Sequence, residues 1–255
     1  MPARPAIRLF TAAPLSAGAE IPLTEGQAHY LHAVMRMAAG DEIALFNGQD
    51  GEWTATLTET GKRRATARAD RLLRPQTDEP RPGPWLLFAP LKKDATDMVV
   101  EKATELGASR LVPVLTRYTN AARVNTERLT ANAVEAAEQC ERLSVPAVAE
   151  PEKLDRLLDG WTPSRHLLVM DETGAGRDVA GVLSDLPAGA DAAVLIGPEG
   201  GFEKSELELL HRYPFVICVT LGPRILRAET AALAALTCWQ ALRGDWQGRP
   251  AFRAG

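Results

Sequence analysis

The spacing of apolar and polar positions changes once along this chain. Up to about residue 74 it has the short period of strands. Trp53, Ala55 and Leu57 alternate with Thr54, Thr56 and Thr58, which predicts a half-buried strand, and Glu42–Phe46 reads as another. Asn47-Gly48 and Asp50-Gly51 are turn signals between them. One helix interrupts this region: Thr24-x-x-Gln27 is a capping box with Leu23 before it, and the helix is predicted over Glu25–Met37, ending ahead of Gly40. Past residue 84 short apolar runs alternate with helix-length segments, the mark of α/β architecture. Strands are predicted at Trp85–Ala89, Leu111–Leu115, Leu167–Met170, Val194–Ile196 and Phe215–Leu221. Helices are predicted from a cap at Asp94 to Leu106 with Gly107 ending it, from a cap at Thr126 to Glu141, and over Arg227–Leu242. Between the two patterns Pro75–Pro84 carries four prolines and reads as a linker without regular structure, and the tail from Gly244 shows no pattern. No internal repeat stands out.

Composition narrows this picture. The chain has 255 residues, 45% of them hydrophobic, enough for one large or two modest cores. No run of eighteen apolar residues and no signal-like apolar core near Met1 occurs, so neither a membrane span nor secretion is expected. Cys140, Cys218 and Cys238 are scattered and odd in number, as in a reducing cytosol, with Cys218 and Cys238 expected to be buried thiols. His29, His32, His166 and His211 share no metal-ligand spacing with cysteine or carboxylates, so no metal is expected. The net charge of −4 excludes a broadly basic coat and leaves room for a local basic patch. Such a patch lies at Lys62, Arg63, Arg64, Arg68, Arg71 and Arg74, opposed by Asp70 alone. Two readings stand for it: a charged edge strand protected from pairing, or a strip that contacts phosphate.

The chemistry concentrates between Val194 and Thr230. Two apolar strands there are each followed by a Gly/Pro turn, Gly197-Pro198-Glu199-Gly200-Gly201 and Gly222-Pro223. Turns at the carboxyl ends of parallel strands are where open α/β sheets bind ligands. A Walker loop is excluded because Lys204-Ser205 follows Glu203 at the wrong spacing, and the dinucleotide pattern is absent. Glu199 and Glu203 would repel a pyrophosphate. A ligand with adenine, ribose and a cationic centre fits better, and S-adenosylmethionine (AdoMet) is one; ordinary tight turns are the plain alternative.

Leu195-Ile196-Gly197-Pro198-Glu199-Gly200-Gly201-Phe202 and Leu221-Gly222-Pro223-Arg224-Ile225-Leu226-Arg227-Ala228-Glu229-Thr230-Ala231 together resemble the paired signature of the RsmE family. That family belongs to the SPOUT class and methylates N3 of a uridine in small-subunit (16S) ribosomal RNA. Lys92-Lys93-Asp94, Glu101–Gly107, the Glu135–Arg142 segment and His29–Asp41 resemble further family motifs, so the resemblance runs over both halves of the chain. Family members commonly have glycine where Glu141 stands.

The resemblance implies an α/β fold: a PUA-like β-barrel domain over residues 1–74, a linker at 75–84, a knotted SPOUT methyltransferase domain over 85–244 and a tail at 245–255. It implies AdoMet as cofactor, held by Met170, Leu195, Ile196, Gly197, Pro198, Glu199, Gly200, Gly201, Leu221, Gly222, Ile225, Leu226 and Ala228, with Asp171–Gly176 as the first of three pocket loops. Gly200→Val is expected to block that site. The reaction needs a base for the N3 proton, for which Glu199 and Glu229 are candidates. It also needs a cation for the charge spread over O2 and O4, for which Arg142 and Arg227 are candidates. For RNA binding the resemblance points to Arg8 and Arg36 beside Lys62, Arg63, Arg64 and Arg68. A cytoplasmic homodimer is implied, packed through the C-terminal domain, with the alanine-rich face of 227–242 available; the RNA partner is an assembled small subunit. The rivals are a SPOUT enzyme acting on a ribose 2′-OH or a guanine, a nucleotide hydrolase, and an RNA-binding assembly factor without chemistry.

Overall fold

The computed structural model describes residues 5–79, 82–120 and 123–248. Its contacts divide the chain into two units, Met1–Pro80 with Ala137–Val145, and Arg81–Ala136 with Pro146–Gly255.

Unit 1 is one five-stranded sheet. Its elements are β1 (Arg8–Phe10), β2 (Glu20–Pro22), α1 (Glu25–His29), β3 (Glu42–Phe46), β4 (Glu52–Thr60) and β5 (Ala65–Arg74), with strand order β1-β3-β4-β5-β2. Only the β1–β3 pair is parallel. Alternation places Ile43, Leu45, Ala55, Leu57, Ala67 and Ala69 on one face, where they close over Ile21, Ala28 and Leu31. The predicted capping box forms: the Gln27 amide donates to Thr24 Oγ1 at 3.2 Å and the Thr24 amide to Gln27 Oε1 at 3.0 Å. The helix ends sooner than its sequence period suggests. After His29 the backbone widens, with the Met35 amide donating to Tyr30 O and that of Met37 to Leu31 O, and Arg36 turns the chain at φ +56°. Among the described residues of the proline-rich segment, regular structure amounts to one short turn, Gln76–Asp78.

Charge is buried inside unit 1. Glu52 is fully buried between Arg8, whose Nε donates to it at 2.9 Å, and Arg74 at 3.7 Å. The Arg8 guanidinium lies over the Phe46 ring and donates to the carbonyls of Ala137, at 2.7 Å, and Arg142. Arg74 donates to the carbonyl of Glu141 at 2.8 Å. Two arginines thus hold the turn that follows residue 140, where Glu141 takes φ +66°.

Unit 2 is built on a parallel sheet. In chain order it comprises β6 (Trp85–Phe88), α2 (Lys93–Glu105), β7 (Arg110–Leu115), α3 (Thr126–Cys140, its last turn counted with unit 1), β8 (Ala147–Val148), β9 (Glu152–Lys153), α4 (Leu154–Asp159), β10 (His166–Met170), β11 (Arg177–Asp178), α5 (Val179–Asp185), β12 (Ala192–Ile196), α6 (Lys204–Leu210), β13 (Val216–Thr220) and α7 (Ala228–Leu242). The order is β11-β13-β10-β12-β6-β7-β8, all pairs parallel, with β9 pairing β7 beside it. Such a sheet is covered on both faces, so its central strands are apolar throughout: every residue of β12 is buried. Trp161 packs between Trp85 and Phe215 on one face, and α7 packs on α2, α5 and β12. Gly107 ends α2 at φ +79° as predicted, in a reversal where the amides of Gly107 and Ala108 donate back to Thr104 O and Ala103 O. Two caps differ from expectation. Asp94 lies inside the first turn of α2 behind Lys92, and Asn125 Oδ1, not Thr126, accepts from the Arg128 amide at 3.0 Å. Met1–Arg4 and, of the tail, residues 249–255 lie outside the described residues.

Candidate cofactor and substrate site

Strands β13, β10 and β12 are neighbours and run in the same direction, so their carboxyl ends, Thr220, Met170 and Ile196, end side by side. The loops that leave them, together with the first turn of α7, enclose a cavity of about 560 Å³. Within the glycine turn the Gly201 amide donates to Pro198 O at 2.9 Å, and Gly201 has φ +73°. Ile225 stands on the third loop, 90% exposed, an apolar side chain at the cavity wall with little protein over it.

The lining is acidic on one side. Asp171 is buried and accepts from both the amide and the hydroxyl of Thr173 at 2.8 Å. Partial burial, and then the Asp171 carboxylate, push Glu172 above the usual carboxylate range. Glu199 and Glu229 add further carboxylates, Arg224 and Arg227 the cations. Backbone carbonyls, carboxylates and apolar side chains suit ribose hydroxyls, a cationic centre and a flat ring. A pyrophosphate would meet four carboxylates.

The cavity brings together many of the residues singled out from sequence. Met170, Ile196, Gly197, Pro198, Glu199, Leu221, Gly222, Ile225, Leu226 and Ala228 line it, as do Arg227 and Glu229. Leu195 is buried within β12, and Gly200 and Gly201 shape the turn from behind. Arg142 belongs to unit 1, where Glu79 lies 3.9 Å from its Nε and Ser144 Oγ accepts from it at 3.2 Å. Asp171, Glu172 and Thr173 lie in the first pocket loop that the resemblance implies, and Arg224 in the second signature motif; none of the four is among the individual ligand residues named from the sequence, and all four line the cavity.

The basic strip also takes shape. Lys62, Arg63 and Arg64 form the exposed turn between β4 and β5, and Arg36 and Arg71 are exposed. Arg68 is paired with Asp70 at 3.0 Å. β5 is not an edge over residues 66–68, where β2 pairs with it, so edge protection does not account for Arg68. Arg8 and Arg74 are corrected from surface to interior, because Glu52 and backbone carbonyls occupy their guanidinium groups. Cys218 and Cys238 are half-buried, and burial raises both thiols above their usual range. Among the described residues no group of three or more His, Cys, Asp or Glu side chains could hold a metal, and no helix is long and apolar enough to cross a membrane.

Comparison with known proteins agrees with this geometry. Residues 79–240 match the RNA methyltransferase domain, and residues 23–70 the RNA methyltransferase PUA domain. Ribosomal RNA small subunit methyltransferase E of Rickettsia conorii is 34% identical over 90% of this chain and 93% of its own. The Bacillus subtilis protein of that name is 31% identical over 88% and 92%. Among solved structures, ribosomal RNA small subunit methyltransferase E from Neisseria gonorrhoeae, bound to S-adenosyl methionine, superposes with a TM-score of 0.83 at 30% identity, covering 94% of this chain and 99% of that one. A Legionella pneumophila methyltransferase in complex with the same cofactor gives 0.81 at 27% identity, covering 94% and 98%.

Proposed function

This chain belongs to the ribosomal RNA small subunit methyltransferase E family, with its PUA-like domain and SPOUT-type α/β domain, and from that premise we propose that it methylates N3 of one uridine in 16S ribosomal RNA, using AdoMet. The observation that carries the reading is the acid-lined cavity closed by loops from three adjacent parallel strands. Bound there, AdoMet supplies a methyl group on a cationic sulfur that leaves as neutral S-adenosylhomocysteine. Met170, Ile196, Leu221, Ile225 and Leu226 offer apolar surface for the adenine, and Asp171 and Glu172 face the ribose or the cationic end. Gly197, Pro198, Gly222 and Ala228 supply backbone close to the ligand, while Leu195, Gly200 and Gly201 hold the wall in shape.

The chain's chemical task is to remove the N3 proton and hold the resulting anion in line with the methyl, a positioning effect worth several kcal/mol of barrier. Glu199 or Glu229 accepts the proton. Arg227 faces the charge on O2 and O4. The exposed turn Lys62–Arg64 with Arg36 and Arg68 contacts RNA phosphates, which position without specifying sequence, so an assembled small subunit is the expected partner. The enzyme works in the cytoplasm as a homodimer. Ala232 and Ala235 of α7 are buried within unit 2, which leaves Leu242 and Trp246, both exposed, for a dimer contact.

The test is incubation of small subunits from a deletion strain with enzyme and AdoMet, followed by primer extension and nucleoside mass spectrometry. A 3-methyluridine that stops reverse transcriptase is expected, since the methyl removes the pairing donor. Methyl found on ribose or guanine would overturn the position and keep the methyltransferase.

A further inference from the structure

A second cavity, of about 420 Å³, lies in unit 2 and shares Pro198 and Glu199 with the first. Its composition is different. Lys92, Lys93 and Arg123 line it, all exposed, and among the described residues none has a carboxylate partner. Arg128 adds a fourth cation, already paired with Asp97. Three cations without an ion pair, gathered around one concavity whose lining includes Glu199 as its one carboxylate, need an explanation, because like charges brought together repel. Tyr118 stands in the same cavity, 47% exposed. It lies against the glycine turn: a Cβ on Gly200 would be 3.4 Å from that of Tyr118. A flat ring beside unpaired cations is the chemistry of a nucleotide site, with the ring for a base and the cations for flanking phosphates.

The position of the shared wall gives the site its meaning. Pro198 and Glu199 line both the acid-lined cavity and the cationic one. A methyl donor in the first and an acceptor in the second would meet at Glu199. We propose that the second cavity seats the target nucleotide, with Tyr118 stacked on the pyrimidine, Lys92, Lys93 and Arg123 on its neighbouring phosphates, and Glu199 at the partition. This rests on the methyltransferase reading above and adds the place where the acceptor binds. Tyr118 is then a positioning residue for the reaction.

The experiment compares the full-length enzyme with Tyr118→Ala, Tyr118→Phe and the triple variant Lys92→Ala/Lys93→Ala/Arg123→Ala. Calorimetry measures AdoMet binding, and steady-state and single-turnover assays on unmethylated small subunits measure methylation at several salt concentrations. All variants should bind AdoMet as the parent does. Tyr118→Ala should lose on the order of ten-fold or more in kcat/KM, as expected for a lost base stack. Tyr118→Phe, which keeps the ring, should stay within about two-fold of the parent on the same ground. The triple variant should show a raised KM that depends less on salt, with the single-turnover rate at saturation retained. Parental kcat/KM in both Tyr118→Ala and the triple variant would overturn the proposal. So would a matching loss of AdoMet affinity, which would assign the second cavity to the cofactor. A parent enzyme that forms no 3-methyluridine would instead defeat the proposed function, and that outcome is read before any variant is compared.

Discussion

A Cβ on Gly201 would lie 1.8 Å from Oε1 of Glu172, so the loops after β12 and β10 meet at a point where any side chain at 201 must push the Glu172 carboxylate aside. The backbone reinforces the requirement, since Gly201 also sits at φ +73°. Gly201→Ala should therefore displace the Glu172 carboxylate from the cavity and strain the turn at once. The strain alone costs about 1 kcal/mol, a fall of roughly 2–4 °C in midpoint temperature for a chain of this size. Glu172 is the free end of a flexible side chain and can swing aside, so the fold should survive while AdoMet affinity drops by about ten-fold or more, a loss of ~1.4 kcal/mol. Gly200→Ala meets only the Cβ of Tyr118, at 3.4 Å, and should affect affinity far less. For an alanine, then, Gly201 is expected to be the more sensitive of the two positions. Calorimetry on the two alanine variants checks the order, and the reverse order would remove the Glu172 contact from the account.

Glu172 also makes stability depend on pH. Its pKa is raised in the folded chain, first by burial and then by Asp171, so the native state holds the proton where the unfolded state has released it. Stability attached to this proton is fully present below the ordinary carboxylate range and is lost as pH rises through the raised value. Glu172→Gln keeps the neutral shape and cannot ionise. Its midpoint temperature should match the parent's at about pH 4 and exceed it modestly near neutrality, the difference being small because solvent reaches the side chain. Thermal melts across that range check the sign; a variant less stable than the parent at neutral pH would contradict it.

The loops around the candidate cofactor cavity are more legible in the sequence than the interior of unit 1, for a physical reason. Thr24 and Gln27, or Gly197 to Gly201, announce themselves because partners stand within a few residues of each other. The alternation of Trp53, Ala55 and Leu57 is likewise local. Arg8 reads as a surface charge because nothing near it in sequence predicts burial: its partners Glu52, Ala137 and Arg142 lie 44, 129 and 134 residues away. Asp171 and Glu172 follow a visible strand in a loop that the resemblance assigns to the pocket, but nothing local singles out their side chains; the convergence of β10 with β12 and β13 does. Helix α1 ends early because the backbone widens after His29 and reverses at Arg36, while the apolar period runs on.

Glu141 occupies φ +66°, a conformation that glycine adopts at no steric cost and that costs other residues roughly 1–2 kcal/mol. The RsmE resemblance places glycine at this position. Glu141→Gly should therefore stabilise unit 1 by about 1 kcal/mol, after the greater chain entropy of glycine in the unfolded state is subtracted. The Arg74 bond survives the change, since it goes to the Glu141 carbonyl. The midpoint in denaturant should rise at unchanged slope. A fall would mean that the glutamate side chain contributes more than the backbone strain removes.

The last prediction separates two kinds of basic residue on unit 1. Lys62 and Arg64 are exposed in the β4–β5 turn without an ion-pair partner among the described residues, and Arg63 reaches Glu25 only at 3.7 Å with both side chains largely in solvent. Charges so placed are free to neutralise phosphate. Each one that does so adds roughly 0.7–0.9 to the slope of log K against log salt. Lys62→Ala/Arg64→Ala should flatten that slope by about twice this amount for RNA or small subunits, with AdoMet affinity unchanged. Arg8 has a different task. Its Nε bonds the fully buried Glu52 at 2.9 Å, and its other nitrogens hold the Ala137 and Arg142 carbonyls. Arg8→Ala removes one of the two arginines beside a buried carboxylate, which should cost about 3 kcal/mol of stability. Wherever the variant remains folded, its salt slope should equal the parent's. Filter binding across a salt series, with denaturant melts on the same preparations, resolves both effects. A slope unaltered in Lys62→Ala/Arg64→Ala would return the turn to a merely solvated role. A flattened slope in folded Arg8→Ala would mean that the buried guanidinium reaches RNA after all.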